Sequence, residues 1–62
     1  MATELLSVPE TAAYLNVKER WVRDAIANRL IPFVKVGHLV RFERHELDNY
    51  IRKSRVPAVD RG

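Results

Sequence analysis

Two helical patterns stand so close together in this chain that the link between them has room only for a sharp reversal. The first opens at Ser7-Val8-Pro9-Glu10. Ser7 is placed to cap the amide of the third helical residue, Glu10 to reach back reciprocally, and Pro9 gives up no amide that the first turn needs. Val8, Ala12 and Leu15 then recur at helical spacing as a core-facing stripe, and Asn16 suits a left-handed terminator. The first helix is thus expected over residues 8 to 15. A second pattern begins near Lys18, with Trp21, Val22, Ala25 and Ile26 on one side and Arg20, Arg23, Asp24 and Ala27 on the other. Only Asn16 and Val17, with Lys18 at the edge, lie between the two. So short a link suits the crossing of a helix-turn-helix; an ordinary helical hairpin also uses it.

After Leu30 the periodicity changes. Pro32 ends any helix, and Phe33-Val34-Lys35-Val36 reads as a strand whose return is Val40-Arg41-Phe42. A three-residue loop, Gly37-His38-Leu39, pairs Val36 with Val40 and Val34 with Phe42 and so collects four apolar side chains on one face; a two-residue loop scrambles that face. The same register sets Lys35 opposite Arg41 on the outer face, a like-charge pair that costs stability unless an anion sits between them. Residues 43 to 53 then carry Leu47, Tyr50 and Ile51 at helical spacing, with Arg52 and Lys53 at the end that favours cations. Residues 54 to 62 show no periodicity and read as a flexible tail behind a domain of residues 1 to 53. The expected fold is a small α+β winged helix-turn-helix: two helices, a two-stranded hairpin wing and a closing helix.

At 62 residues the chain holds one domain, and without cysteine neither disulfides nor thiolate-bound zinc can add to its stability. Side-chain packing must supply the core. There is no apolar run of membrane-spanning length and no signal-peptide pattern, so a cytoplasmic location is expected. With two histidines, no cysteine and no glycine-rich phosphate loop, the sequence offers no catalytic constellation, metal site or cofactor site. It is not expected to be an enzyme or to bind a small molecule. The net charge of +3 and pI near 9.8 favour a polyanionic partner. Placement is more telling: residues 18 to 35 hold Lys18, Arg20, Arg23, Arg29 and Lys35 against Glu19 and Asp24 alone.

The order helix, tight turn, helix, hairpin, helix carries a family resemblance over roughly residues 5 to 53. Leu5-Leu6-Ser7-Val8-Pro9-Glu10-Thr11-Ala12-Ala13-Tyr14-Leu15-Asn16-Val17 resembles the opening of excisionase-type DNA-binding domains, relatives of the MerR winged helices. Glu19-Arg20-Trp21-Val22-Arg23 stands at the start of that family's recognition helix, Ile31-Pro32-Phe33-Val34-Lys35-Val36-Gly37 at its wing entry, and Val40-Arg41-Phe42 with Glu46-Leu47-Asp48-Asn49-Tyr50-Ile51 at its wing exit and closing helix. The resemblance implies a phage or mobile-element excisionase, or recombination directionality factor, which binds and bends attachment-site DNA and helps integrase run excision. Related domains also serve as small transcription regulators or replication accessory proteins. Two departures stand out: Lys18 replaces a frequent capping Ser or Thr, and His38-Leu39 replaces an often doubly basic wing tip.

The major groove of B-DNA admits one helix, whose exposed N-terminal side chains reach base edges. Here those are Lys18, Glu19, Arg20 and Arg23. Arg20 is the best candidate for bidentate contact with guanine, and Glu19 either accepts from cytosine or orients Arg23 along the helix. Taken alone, this set also fits a solvated charged face; the adjoining wing pattern favours DNA. Lys35 and Arg41 read as phosphate contacts or as plain surface charge. At the wing tip Gly37 supplies the turn, and His38 either enters the minor groove or is a polar turn residue. Thr11 and Tyr14, on the polar side of the first helix, are weaker candidates for phosphate bonds, and Trp21 reads as core. With little chain after the closing helix, a monomer is expected that loads head to tail on directly repeated sites in double-stranded DNA, beside an integrase. A protein-interaction module on the same fold is the rival reading.

Overall fold

Ser7 and Glu10 close the reciprocal box that their spacing calls for, at the head of α1 (Val8–Leu15). The Glu10 amide donates to Ser7 Oγ at 3.3 Å and the Ser7 amide to Glu10 Oε1 at 2.9 Å. Asn16 ends the helix in the left-handed region, with φ 58° and ψ 48°. Its amide donates to the Ala13 carbonyl and that of Val17 to the Ala12 carbonyl, the two bonds of a Schellman motif. After this turn α2 (Glu19–Ala27) starts without a side-chain cap at Lys18. It ends as α1 does: the Arg29 amide donates to Ile26 and the Leu30 amide to Ala25, with Arg29 at φ 54°.

The computed structural model describes residues 4–59. Besides α1 and α2 they form β1 (Leu5–Leu6), β2 (Val34–Val36), β3 (Leu39–Glu43) and α3 (Arg44–Lys53). The sheet is antiparallel in the order β1-β3-β2, so the strand that follows the wing turn occupies the centre. The sequence reading had no β1. Leu5 pairs with Glu43 and Leu6 with Phe42, which ties the N-terminal segment to the wing before α1 begins. The core consists of Leu6, Ala12, Val22, Ala25, Ile31, Phe42 and Leu47, with Phe33 and Tyr50 packed on its rim. The fold is a small α+β domain of three helices and a three-stranded sheet, the winged arrangement expected. Among the described residues no helix is long and apolar enough to cross a membrane.

The wing register departs from the expected one. The turn contains two residues, Gly37 and His38, and pairs Val36 with Leu39, Lys35 with Val40 and Val34 with Arg41. Gly37 has φ 65° while His38 stays at negative φ, the arrangement of a type II′ hairpin turn, whose twist matches that of the strands. A one-residue change of register moves alternate side chains to opposite faces. Val34, Val36, Leu39 and Arg41 therefore share the outer face, and Val40 and Phe42 share the inner face with Lys35. Val36 and Leu39 remain 52% and 46% exposed. Lys35 and Arg41 do not oppose one another. The inner face is completed by Leu6 from β1 and by Phe33, whose ring centroid lies 6.4 Å from that of Phe42, so the core closes without Val34 and Val36.

Thr11 is also misplaced by the sequence reading. It does not lie on a polar side of α1; it is fully buried, and its Oγ1 has no hydrogen-bond partner among the described residues. Counted from Val8, the spacing i, i+3, i+4, i+7 selects Thr11 together with Ala12 and Leu15, so the helix geometry puts it on the core side. The closing helix begins one residue later than expected, because Glu43 is both the last residue of β3 and the N-cap of α3. Residues 55–59 adopt neither helix nor strand and are exposed; the rest of the expected tail, residues 60–62, lies outside the described residues.

Two outcomes follow from these local arrangements. Thr11→Val keeps the shape and removes the unsatisfied hydroxyl, so urea titration should show the variant more stable by about 1–3 kcal/mol; a less stable variant would mean that the hydroxyl has a partner. The Ser7 amide, and after it the Ser7 hydroxyl, holds the Glu10 carboxyl below its usual value of 4.5. A carboxyl lowered by folding contributes stability that is complete above the unfolded value and is lost as pH falls through the folded one. Glu10→Gln should therefore flatten the fall in melting temperature between roughly pH 5 and pH 3. An unchanged profile would exclude the cap as its source.

Candidate nucleic-acid interface

α2 divides cleanly into two faces. Val22 and Ala25 are fully buried, Trp21 and Ile26 are half-buried, and Glu19, Arg20, Arg23, Asp24 and Ala27 are exposed. At 100° per residue Arg20, Arg23 and Ala27 fall within about 60° of arc, so the cations flank a small side chain on the outermost strip of the helix. Trp21 packs on the core rim, its ring centroid 6.2 Å from that of Tyr50 in α3. Lys18 and Arg20 share a surface hollow with Val17, Trp21 and Asp24. Among the described residues neither enters an ion pair or a side-chain hydrogen bond.

Arg23 is differently placed. Its Nη1 lies 3.4 Å from Glu19 Oε1, a helical i,i+4 pair with both side chains well exposed. Exposed pairs of this kind contribute only about 0.3–0.5 kcal/mol. Glu19 thus stands beside Arg23 along the helix, as one of the two roles weighed for it requires. A phosphate or a guanine edge can displace so weak a partner.

The remaining candidates separate. Tyr14 faces α3, where its hydroxyl donates to Asp48 Oδ1 while the Arg44 guanidinium carbon lies 5.2 Å from the centre of its ring. Arg44 in turn holds Glu4 at 2.9 Å. Tyr14 thus belongs to a bracket that joins α1, α3 and the start of β1, and its donor is occupied. Arg41 is half-buried and donates from Nη1 to the Val40 carbonyl at 2.7 Å. Gly37 and His38 form the exposed tip of the wing. Lys35 is exposed on the opposite sheet face from Arg41 and lines a groove with Arg29, Leu30, Pro32 and Phe33 at the end of α2. Sequence reasoning counted Arg29 among the basic residues and gave it no position. The signal was its place just past the last helical turn, where glycine is usual.

α1, the tight turn at Asn16 and Val17, and α2 with its outward cations form a helix-turn-helix, followed by a β-hairpin wing. The comparisons with known proteins agree with that geometry: a family model described as a helix-turn-helix domain matches residues 5–55. No curated protein and no solved structure matches the chain significantly. The match spans β1 through α3, well over half of the sequence, and the chain therefore belongs to this helix-turn-helix domain family, an architecture that serves DNA binding.

Proposed function

We propose that this protein binds specific sites in double-stranded DNA as an architectural factor, and that its role is that of an excisionase, which bends attachment-site DNA and directs an integrase toward excision. The observation that carries the reading is the outer strip of α2. Lys18 and Arg20 stand at the helix N-terminus without a side-chain partner among the described residues, Arg23 stands in a weak exposed pair one turn on, and the opposite face is locked into the core. A helix so placed can enter a major groove without disturbing the fold. Chemistry is no part of the proposal; the protein acts by binding, without cofactor, in the compartment that holds the DNA. Excision rather than transcriptional control rests on the sequence resemblance. Head-to-tail loading on directly repeated sites belongs to the same proposal.

One observation favours a second reading, in which the fold binds protein. Leu5, Val36 and Leu39 expose apolar surface on the outer sheet face, which a DNA-binding role for α2 does not use. Duplex binding separates the readings. Fluorescence anisotropy with attachment-site duplex should show affinity that falls steeply as salt rises, and absence of binding at low salt would sink the DNA reading. Arg20→Ala should cost about 1–3 kcal/mol on the specific site and less on scrambled duplex. Equal loss on every sequence would remove its base-reading role. Footprints that strengthen when integrase is added distinguish excision from transcriptional control, for which no such gain is expected.

A further inference from the structure

Arg29 holds a backbone conformation that L-residues other than Asn and Asp rarely adopt, and no contact among the described residues accounts for its being arginine. The two Schellman motifs of this chain make the comparison internally. α1 closes on Asn16 at φ 58°, a residue that tolerates the left-handed region; α2 closes on Arg29 at φ 54°. Its exposed side chain enters no ion pair or side-chain hydrogen bond among the described residues. A non-glycine residue held there marks a place where folding stability has been given up for something else.

The surroundings indicate what that is. Arg29 lines an open groove of about 890 Å³ between the end of α2 and the wing, and Lys35, from β2, lines the same groove. The floor is apolar, with Ile26, Ile31 and Val40, so neither cation meets an acid there. Ile31, two residues from Arg29, is 1% exposed and anchors the segment. Arg29 and Lys35 are the two cations that line this groove, and an anion seated in it is attracted by both.

We infer that Arg29 and Lys35 clamp one backbone phosphate of bound DNA, holding a strand in the groove between α2 and the wing. The inference rests on the DNA-binding reading above and adds to it a fixed point of contact beside the recognition helix. Such a clamp sets the position of the protein along the duplex and reads no base. The left-handed turn at Arg29 is what brings a cation from the end of α2 to the groove shared with the wing.

The test uses the full chain with Arg29→Asn, which repeats the residue found at position 16, together with Arg29→Gly, Lys35→Ala and the double variant Arg29→Asn/Lys35→Ala. Melting temperatures of the Asn and Gly variants should be no lower than wild type. Their affinity for specific and scrambled duplexes should fall several-fold alike, and the slope of log K against log salt should decrease, reaching a loss of about one when Lys35 is removed as well. The double variant should lose less than the sum of the single losses, because the two cations share one ligand. If wild type binds duplex and Arg29→Asn keeps both affinity and slope, the clamp is wrong and the DNA reading stands. If wild type binds no duplex at low salt, the DNA reading fails and the clamp with it. A loss confined to one sequence would make Arg29 a base contact, and a lowered melting temperature would make it a structural residue; each overturns the proposal.

Discussion

Phe42 is the side chain on which the layers of this domain meet. It is completely buried on the central strand, paired across the sheet with Leu6 and tilted against the ring of Phe33. The strand that carries it touches β1, β2, α1 and α3, and α2 joins the assembly by packing on α1. A domain of this size without disulfides has little stability in reserve. Burying one aromatic side chain contributes roughly 1.5–3 kcal/mol, a large share of what such a core supplies. The orientation of α2 therefore depends chiefly on the hold of β3 on α1, with a further tie where Trp21 meets Tyr50 of α3.

The helical half was legible because its signals are local. The Ser7 and Glu10 box, the left-handed Asn16 and the stripe of α2 each depend on residues within one or two turns, and each is found as spaced. The wing was legible as a hairpin and not in its register. A three-residue loop collects four apolar side chains on one face, which is what a hairpin needs when it provides the core face by itself. β1 removes that requirement, since Leu6 and Phe33 fill the face and allow Gly37 and His38 to make the tighter turn. A strand of two residues cannot display a period of its own, so its effect on register appears only once the fold exists. Thr11 failed for a simpler cause. Its spacing was correct for the core, and its hydroxyl led it to be read as polar.

Total charge says little about where a polyanion could be held; what matters is which cations the fold has already engaged. Arg41 reaches a backbone carbonyl, Arg44 bridges Glu4 and the Tyr14 ring, and Arg52 donates to Asn49. Lys18, Arg20, Arg29, Lys35, Lys53 and Arg55 have no such partners among the described residues, and the first four of these lie on α2, its ends and the adjoining wing strand. Tyr14, a weaker candidate for a phosphate bond, is engaged in the same way: its hydroxyl already holds α3. Net charge read from sequence cannot make this distinction, because it depends on contacts between residues as far apart as Glu4 and Arg44.

Glu43 ends β3 and caps α3 with no residue between them. The two ends of the wing strand are consequently unequal in their tolerance of length change. At the Gly37 and His38 tip, added residues lengthen an exposed loop and leave the pairing of Phe42 intact. At the Glu43 junction each added or deleted residue would turn the faces of α3 by about 100° and swing Leu47 out of the core. The length of the wing can thus vary at the tip, while the step from strand to helix is held to a single length.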